Sequence, residues 1–415
     1  MQIDSPVWTD CEQIKKIVFL LDNNVRFVGG CVRDSLIGKR PDDIDLATPL
    51  KPRKVTELLE KSGFKVLPTG LSYGTVTVLT KSKIFPAVEI TTLRRDIRCS
   101  GRQAQISYTE DWRSDALRRD FTFNALYADF NGTVYDFCGG IQDLQNGRVR
   151  FIGDPEQRIQ EDYLRVLRYF RFLALFEKSP IESRLLKACR AAIPFLSQIS
   201  AERTKRELFK LIKAKGAFRG IQAMDQAGVL PLYFPDADLP VFNRLLHLSP
   251  DTDLLIRLAA LSVLTPESIA MLIQRWQLSK AEQKRINRLL LFNRTKKPTE
   301  YTDNDLFRLA VYFKRDNLNE ILSLFEAVCP EIGWAELKEK SKNILLPPFL
   351  FSGADFVPFI EKKQLKALTA RVYEYWLSTN GRADHAELFD YAQKISGIKI
   401  GVDPIPETGK LPFKR

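Results

Sequence analysis

Residues 29–48 read GGCVRDSLIGKRPDDIDLAT. Two glycines follow the strand-like VRFV (25–28), and CVRDSLIG then has the spacing of a short helix. A glycine turn between strand and helix lets backbone N–H groups approach phosphate, and the helix start adds positive potential. Arg33 stands about one turn into the helix, where a guanidinium adds a charge-assisted grip. The second half, DIDLAT, reads as a strand carrying Asp43 and Asp45. Strand side chains alternate, so both carboxylates face one way, about 6–7 Å apart, and Asp42 faces the other. Two-metal phosphoryl-transfer sites hold ions ~3.5–4 Å apart, which such a pair can grip from both sides. Gly30 precedes Asp43 by 13 residues, so neighbouring strands can bring the phosphate turn beside the carboxylates. A neighbouring strand must supply a third carboxylate. The candidate is Glu89 in VEITT, whose apolar flanks predict that it is buried.

The whole chain suits such a site. It has 415 residues, 45% hydrophobic and 27% charged, the balance of a globular protein with room for several cores. Its net charge of +12 points to a polyanionic partner, nucleotide or nucleic acid. Two histidines, His247 and His385, exclude a His-rich zinc or His-metal phosphohydrolase centre. Six cysteines without CxxC spacing predict free thiols in a reducing compartment. The N-terminus lacks a basic-then-apolar leader, and no run of 18 apolar residues occurs, so a cytoplasmic protein without a membrane span is expected.

Around the opening stretch, residues 11–22 have helical spacing and KPRKVTELLEKSGF begins a helix on an early proline. KVLPT, YGTVTVLT and PAVEITTL read as strands, and Asn131-Gly132 marks a hairpin between two more. The strands lie too close together for βαβ repeats throughout, so a mixed sheet is expected over residues 1–150. Beyond residue 150 strand signals vanish. The expected architecture is α+β: an N-terminal mixed-sheet head (1–150), then an all-α neck (151–215), body (216–300) and tail (301–415). The Pro/Gly-rich end, 401–415, reads as loose.

Five motifs in order give this pattern a resemblance. GGCVRDSLIGKRPDDIDLAT, RRDFTFNA (118–125), the turn from Asp136 to Leu144 (D-x-x-GG-x-x-DL), EDYLRVLRYFR (161–171) and SAERTKREL (200–208) match, one by one, motifs of a single family. The chain resembles the class II tRNA nucleotidyltransferase and bacterial poly(A) polymerase family over roughly residues 20–215, with Cys31 where alanine is common. The resemblance implies a nucleotidyltransferase (DNA polymerase β-like) head. It implies Asp43 and Asp45 as catalytic ligands of Mg²⁺, with Glu89 as the third carboxylate. It implies Gly29, Gly30 and Arg33 at the triphosphate and Arg119, Asp120 and Asn124 at the ribose. A carboxylate and an amide can bond both sugar hydroxyls and so favour NTP over dNTP.

The fourth motif carries the choice of base. Projected as one helix at 100° per residue, it puts Tyr163, Val166, Leu167 and Phe170 on a core face. Glu161, Asp162, Arg165, Arg168 and Arg171 fill the other half. Asp162 and Arg165 form an i,i+3 pair there. An accepting Asp beside a donating Arg suits cytosine and adenine, which offer an amino donor next to a ring acceptor. Uracil and guanine reverse that order, and a mispaired buried polar group costs ~1–3 kcal/mol. The resemblance gives Asp162 and Arg165 this role, with Arg168 and Arg171 continuing to the phosphates. Tyr169 and Phe172 are expected to cover the neck joint.

The implied activity is addition of C, C and A to tRNA 3′ ends from CTP and ATP, with tRNA as partner. Poly(A), A-only or CC-only synthesis remains open, as does a non-catalytic RNA-binding role, against which the intact aspartates argue. The core-poor segment 94–118 resembles the flexible loop of full CCA-adding enzymes, shortened in CC-only ones. From Arg275 to Lys297 eight residues are Lys or Arg and one, Glu282, is acidic, a pattern suited to RNA phosphates. Oligomeric state is not legible.

Overall fold

The computed structural model of the protein describes residues 1–100, 103–176, 178–262, 265–292 and 295–398. The expected loose end at 401–415 lies outside the described residues. Contacts divide the chain into two compact units. The first is Met1–Leu239 with Leu261–Val263 and Met271–Gln277, and the second holds Pro240–Ala260, Leu264–Ala270 and the chain from Leu278 onward.

The first unit begins with α1 (Glu12–Leu20), β1 (Arg26–Val28), α2 (Gly30–Leu36), β2 (Ile44–Thr48) and α3 (Pro52–Lys61). Strands β3 (Lys65–Gly70), β4 (Thr75–Leu79) and β5 (Ala87–Thr92) follow. Next come a ribbon of β6 (Arg94–Ser100) and β7 (Gln103–Tyr108), helix α4 (Trp112–Leu117), and the hairpin β8 (Leu126–Ala128) and β9 (Val134–Asp136). Seven strands form one sheet in the order β3-β4-β5-β2-β1-β8-β9. Only β2 and β5 run parallel; the other neighbours are antiparallel. The mixed sheet read from the sequence is thus present. The segment 94–118, expected as a flexible loop, holds the β6–β7 ribbon and α4.

The opening stretch folds for the reasons its residues suggest. Gly29 stands at φ +77°, ψ −122°, a backbone state that L side chains rarely adopt, so the β1–α2 turn needs glycine. Beneath it Val28, Ala47, Leu93, Ala116, Ala125 and Tyr127 form a buried cluster. Asp136 receives the N–H groups of Cys138, Gly140 and Ile141 at 2.9–3.0 Å and so starts α5 (Gly140–Gln145). Gly140 lies so close to the 118–125 segment that a Cβ there would sit 2.3 Å from the Thr122 carbonyl oxygen. The third motif is therefore a structural latch. Its second aspartate, Asp143, accepts from the Thr122 hydroxyl at 2.6 Å and Arg150 Nε at 2.8 Å.

The sequence projection fails at one place. The fourth motif is two helices, α6 (Pro155–Glu161) and α7 (Leu164–Leu175). Asp162 between them is extended, at φ −153° and ψ 106°. Its Oδ1 accepts from the Leu164 N–H at 3.1 Å. A short acidic side chain competes for backbone donors and starts a new helix rather than continuing the old one. Tyr169 and Phe172 of α7 are fully buried, Phe172 against Phe121 and Phe123 and Tyr169 beside Phe151. Helices α8 (Ser183–Ala191), α9 (Ala201–Lys213) and α10 (Ala217–Gln226) follow, with α7 packed on α9 and α10.

The described residues of the second unit contain no strand among their named elements. One of its cores gathers Phe307, Phe356, Val372, Trp376, Leu377 and Leu388.

Gly140→Ala tests the latch. It should cost about 1–3 kcal/mol, the usual range for forcing a methyl into a filled space, read as a lower denaturation midpoint in urea. An unchanged midpoint would show that the close approach to Thr122 is not maintained in solution.

Candidate active site

A cleft of about 920 Å³ in the first unit is lined by Gly29, Gly30, Arg33, Asp43 and Asp45 on one side. Arg119, Asp120 and Asn124 join them, and Asp162, Arg165, Arg168 and Arg171 face the same space. Every candidate except Glu89 therefore borders one cleft.

The carboxylates sit at the entry of β2. Asp43 is exposed on the bend just before the strand, and Asp45, within it, is half-buried. Asp45 is the ladder partner of Glu89 on β5, so the two side chains share a face. Glu89 does not meet the expectation of burial. Its flanks Val88 and Ile90 are buried, and strand alternation turns Glu89 to the open side. Burial, and after it the Glu89 carboxylate, push Asp45 up to about 6, with Arg119 pulling the other way. Among the described residues no three His, Cys, Asp or Glu side chains close around a point as metal ligands. Chemically the Asp43, Asp45 and Glu89 oxygens are the hard donors that suit Mg²⁺. Under this face Cys31 donates its thiol to the Val28 and Asp45 carbonyls.

The second motif builds a continuous network. Arg33 Nη1 donates to Asn124 Oδ1 at 2.6 Å, while its Nε and Nη2 hold Asp34 at 2.9 and 2.8 Å. Asn124 Nδ2 donates to Asp120 Oδ1 at 3.2 Å, and Arg168 Nε donates to Asp120 Oδ2 at 2.5 Å. Burial works to raise the Asp120 carboxyl, yet the Arg168 guanidinium outweighs it and holds Asp120 well below the usual carboxylate range. Arg119 is held from behind. Its Nη2 and the Tyr127 hydroxyl donate to Asp115 Oδ2 at 3.0 and 2.7 Å, and Arg118 Nε donates to Oδ1 at 2.8 Å. Asp115 is 1% exposed. Burial favours its neutral form, but Arg119 and Arg118 prevail and keep its carboxyl far below its ordinary value.

On the base side the expected Asp162–Arg165 pair is not formed. The helix break after Glu161 turns the two side chains to different partners. Arg165 Nη1 donates to Glu161 Oε2 at 2.6 Å and to the Arg158 carbonyl at 2.7 Å. Asp162 Oδ2 accepts from Arg203 Nη2 at 2.7 Å. Arg168 and Arg171 share buried Glu207 of α9, at 3.4 and 3.1 Å. Burial and the neighbouring Arg168 lower Arg171 to about 10, with Glu207 opposing. The Arg171 guanidinium also lies 4.3 Å from the Phe172 ring centre.

Asp115, Arg203 and Glu207 escaped the sequence reading. Arg203 and Glu207 lie in the fifth motif at i,i+4 spacing, a signal that they share one face of α9. Asp115 stands three and four residues before Arg118 and Arg119, the same helical signal. The basic run near 275–297 looks different once folded. Arg285 pairs with Asp253 at 3.0 Å, Lys296 with Asp305 at 2.7 Å and Lys297 with Glu331 at 3.9 Å. Arg288 donates to the Tyr312 carbonyl and Arg275 to that of Tyr233. Much of this charge ties the chain together, and Arg294 lies outside the described residues.

A family signature described as "Poly A polymerase head domain" matches residues 25–150. A second, "Probable RNA and SrmB- binding site of polymerase A", matches residues 180–239. The mitochondrial CCA tRNA nucleotidyltransferase 1 of Mus musculus is 31% identical over 413 residues, covering 95% of this chain and 93% of its own length. The CCA-adding enzyme of Lactobacillus helveticus is 33% identical over 276 residues, 64% of this chain and 66% of its own. The crystal structure of the Bacillus stearothermophilus CCA-adding enzyme in complex with CTP superposes with a TM-score of 0.70 at 22% identity, covering 95% of this chain and 98% of its own. At that identity the likeness is one of fold.

Asp115→Asn leaves two guanidinium groups without their counter-charge and should cost about 3–5 kcal/mol near neutral pH. The folded pKa of Asp115 lies below the unfolded value of ~3.9, so its contribution is complete above that value and lost as pH falls below it. The stability gap between wild type and variant should therefore narrow below about pH 4. Urea melts from pH 7 to 3 check this, and a gap that stays constant would contradict it.

Proposed function

We propose that this chain, which belongs to the CCA tRNA nucleotidyltransferase family, adds C, C and A to the 3′ end of tRNA from CTP and ATP. The observation that supports this reading is the single cleft shared by Asp43 and Asp45, the Asp120–Asn124 network and the Asp162–Arg165 edge.

Asp43 and Asp45 would hold Mg²⁺, with the Glu89 carboxylate beside Asp45 on the same face. A metal held there would supply polarisation of the α-phosphate and activation of the RNA 3′-hydroxyl. Arg33 grips the triphosphate at the glycine turn, and Arg168 and Arg171 meet it from α7. Asp120 and Asn124 bond the ribose hydroxyls in exchange for part of their mutual network, with Arg119 fixed beside them by Asp115. Asp162 accepts from the exocyclic amino group of C or A, and Arg165 donates to the adjoining ring acceptor. U and G meet donor against donor and acceptor against acceptor, a mismatch of ~1–3 kcal/mol per group. Catalysis thus belongs to the head (1–150) and base choice to the neck (151–215). The body (216–300) and tail (301–415) take the tRNA backbone. No described helix is long and apolar enough to cross a membrane. The free thiols of Cys11, Cys31, Cys138, Cys189 and Cys329 suit a reducing compartment, and the cytoplasm is the proposed place of action.

Incubating the protein with tRNA transcripts that lack the terminal CCA, and with CTP, ATP or both, reads the product directly. Complete CCA ends that require both nucleotides are expected. Long A tails from ATP alone would assign the chain to poly(A) synthesis instead. Asp43→Ala with Asp45→Ala should abolish incorporation while leaving tRNA binding in place; unchanged incorporation would remove both aspartates from the chemistry.

A further inference from the structure

The Asp162 carboxylate is held from two directions. Its Oδ1 is tied to the first turn of α7 through the Leu164 N–H at 3.1 Å. Its Oδ2 is tied to α9 through Arg203 Nη2 at 2.7 Å, across 41 positions of sequence. Arg203 and Asp162 both border the cleft. They are 27% and 24% exposed, open enough to meet a ligand yet half enclosed. Among the described residues Asp162 is the only ion-pair partner of Arg203. Arg165, the helical neighbour expected to pair with Asp162, places Nη1 on Glu161 and the Arg158 carbonyl. The direction in which Asp162 presents its oxygens is therefore set by Arg203 and the start of α7.

An ionised carboxylate offers about four acceptor positions, and these two bonds use two of them. The remaining positions are available to an exocyclic amino group. A carboxylate released at Oδ2 rotates about its terminal torsion, which is broad and two-fold. It then offers its acceptors over a wider arc. A donor-bearing base edge no longer meets a fixed partner, and an acceptor-bearing edge is no longer held against one.

We infer that Arg203 is a positioning residue for base selection: it clamps Asp162 so that the free acceptors face the amino group of cytosine or adenine. The inference rests on the proposed base-reading role of Asp162. An ordinary half-exposed ion pair would contribute little to stability and nothing to nucleotide choice. The two accounts differ in what a substitution moves: overall activity in one, the ratio between nucleotides in the other.

The test uses the full chain and a tRNA transcript lacking its terminal CCA. Single-nucleotide incorporation of CTP and UTP is followed for wild type, Arg203→Ala, Arg203→Lys and Asp162→Ala. For Arg203→Ala the CTP/UTP ratio of kcat/KM should fall about tenfold, the size of one charge-assisted hydrogen bond, with tRNA affinity within about twofold of wild type. Arg203→Lys keeps the charge without the planar fork and should recover part of the ratio. Asp162→Ala should lose the preference outright. If Arg203→Ala slows both nucleotides equally and keeps the ratio while Asp162→Ala loses it, the positioning role of Arg203 fails and the reading of Asp162 stands. If Asp162→Ala keeps the ratio, both fall. Should circular dichroism show Arg203→Ala unfolded, Arg203→Gln is judged by the same ratio.

Discussion

The ion pair between Asp120 and Arg168 ties the sheet region to the helices that follow it. Its 2.5 Å contact links the segment before β8 to the middle of α7. Asn124 joins the same carboxylate, and Arg33 joins Asn124, so one chain of bonds runs from α7 to the glycine turn. Arg158 adds a second tie by donating to the carbonyls of Arg118 and Arg119. Burial alone would have driven the Asp120 carboxyl towards its neutral form, and the guanidinium reverses that. Removing Arg168 would leave the Asp120 carboxylate without its cationic partner, whereas Arg168 without Asp120 would still reach Glu207.

Much of this was legible in the sequence because local rules carried it. The glycine turn, the strand that carries Asp45 and the Asn-Gly hairpin rest on backbone sterics, which a short stretch states by itself; Asp43, read as part of that strand, stands on the bend before it. The mixed sheet followed from strands spaced too closely for crossovers. What local rules could not give was partner choice. Asp162 and Arg165 share three-residue spacing, yet Asp162 breaks the helix and turns to Arg203, which arrives from a distant helix. Glu89 was misread for a related reason: apolar flanks mark the face opposite to their own neighbour, and alternation then exposes it. Glu207 was hidden because a buried acid earns its place only through two arginines that no spacing in its own helix reveals.

The fifth motif acquires a purpose from this. Arg203 and Glu207 stand one turn apart on α9 and reach the two ends of the charged face of α7. One meets the acid that begins it and the other meets the arginines further along. A helix far along the chain from the glycine turn and from β2 thereby controls how α7 and its preceding acid present their polar groups. The matched RNA-binding signature at 180–239 spans this helix.

The pairing pattern also bears on ionic strength. A net charge of +12 suggests a cleft that attracts anions through bare cations. Arg33, Arg119, Arg165, Arg168, Arg171 and Arg203 each carry a protein carboxylate as a resident counter-ion, while Lys39, Arg40, Lys210 and Lys213 border the same cleft without a carboxylate partner among the described ion pairs. A phosphate arriving at one of the six arginines exchanges one anion for another and releases few ions from solution. Counter-ion release is what makes anion binding steep in salt. Anion binding at these six arginines is thus buffered against changes in the surrounding electrolyte, and salt sensitivity is left to the cleft's lysines and Arg40 and to whichever surfaces meet the RNA backbone.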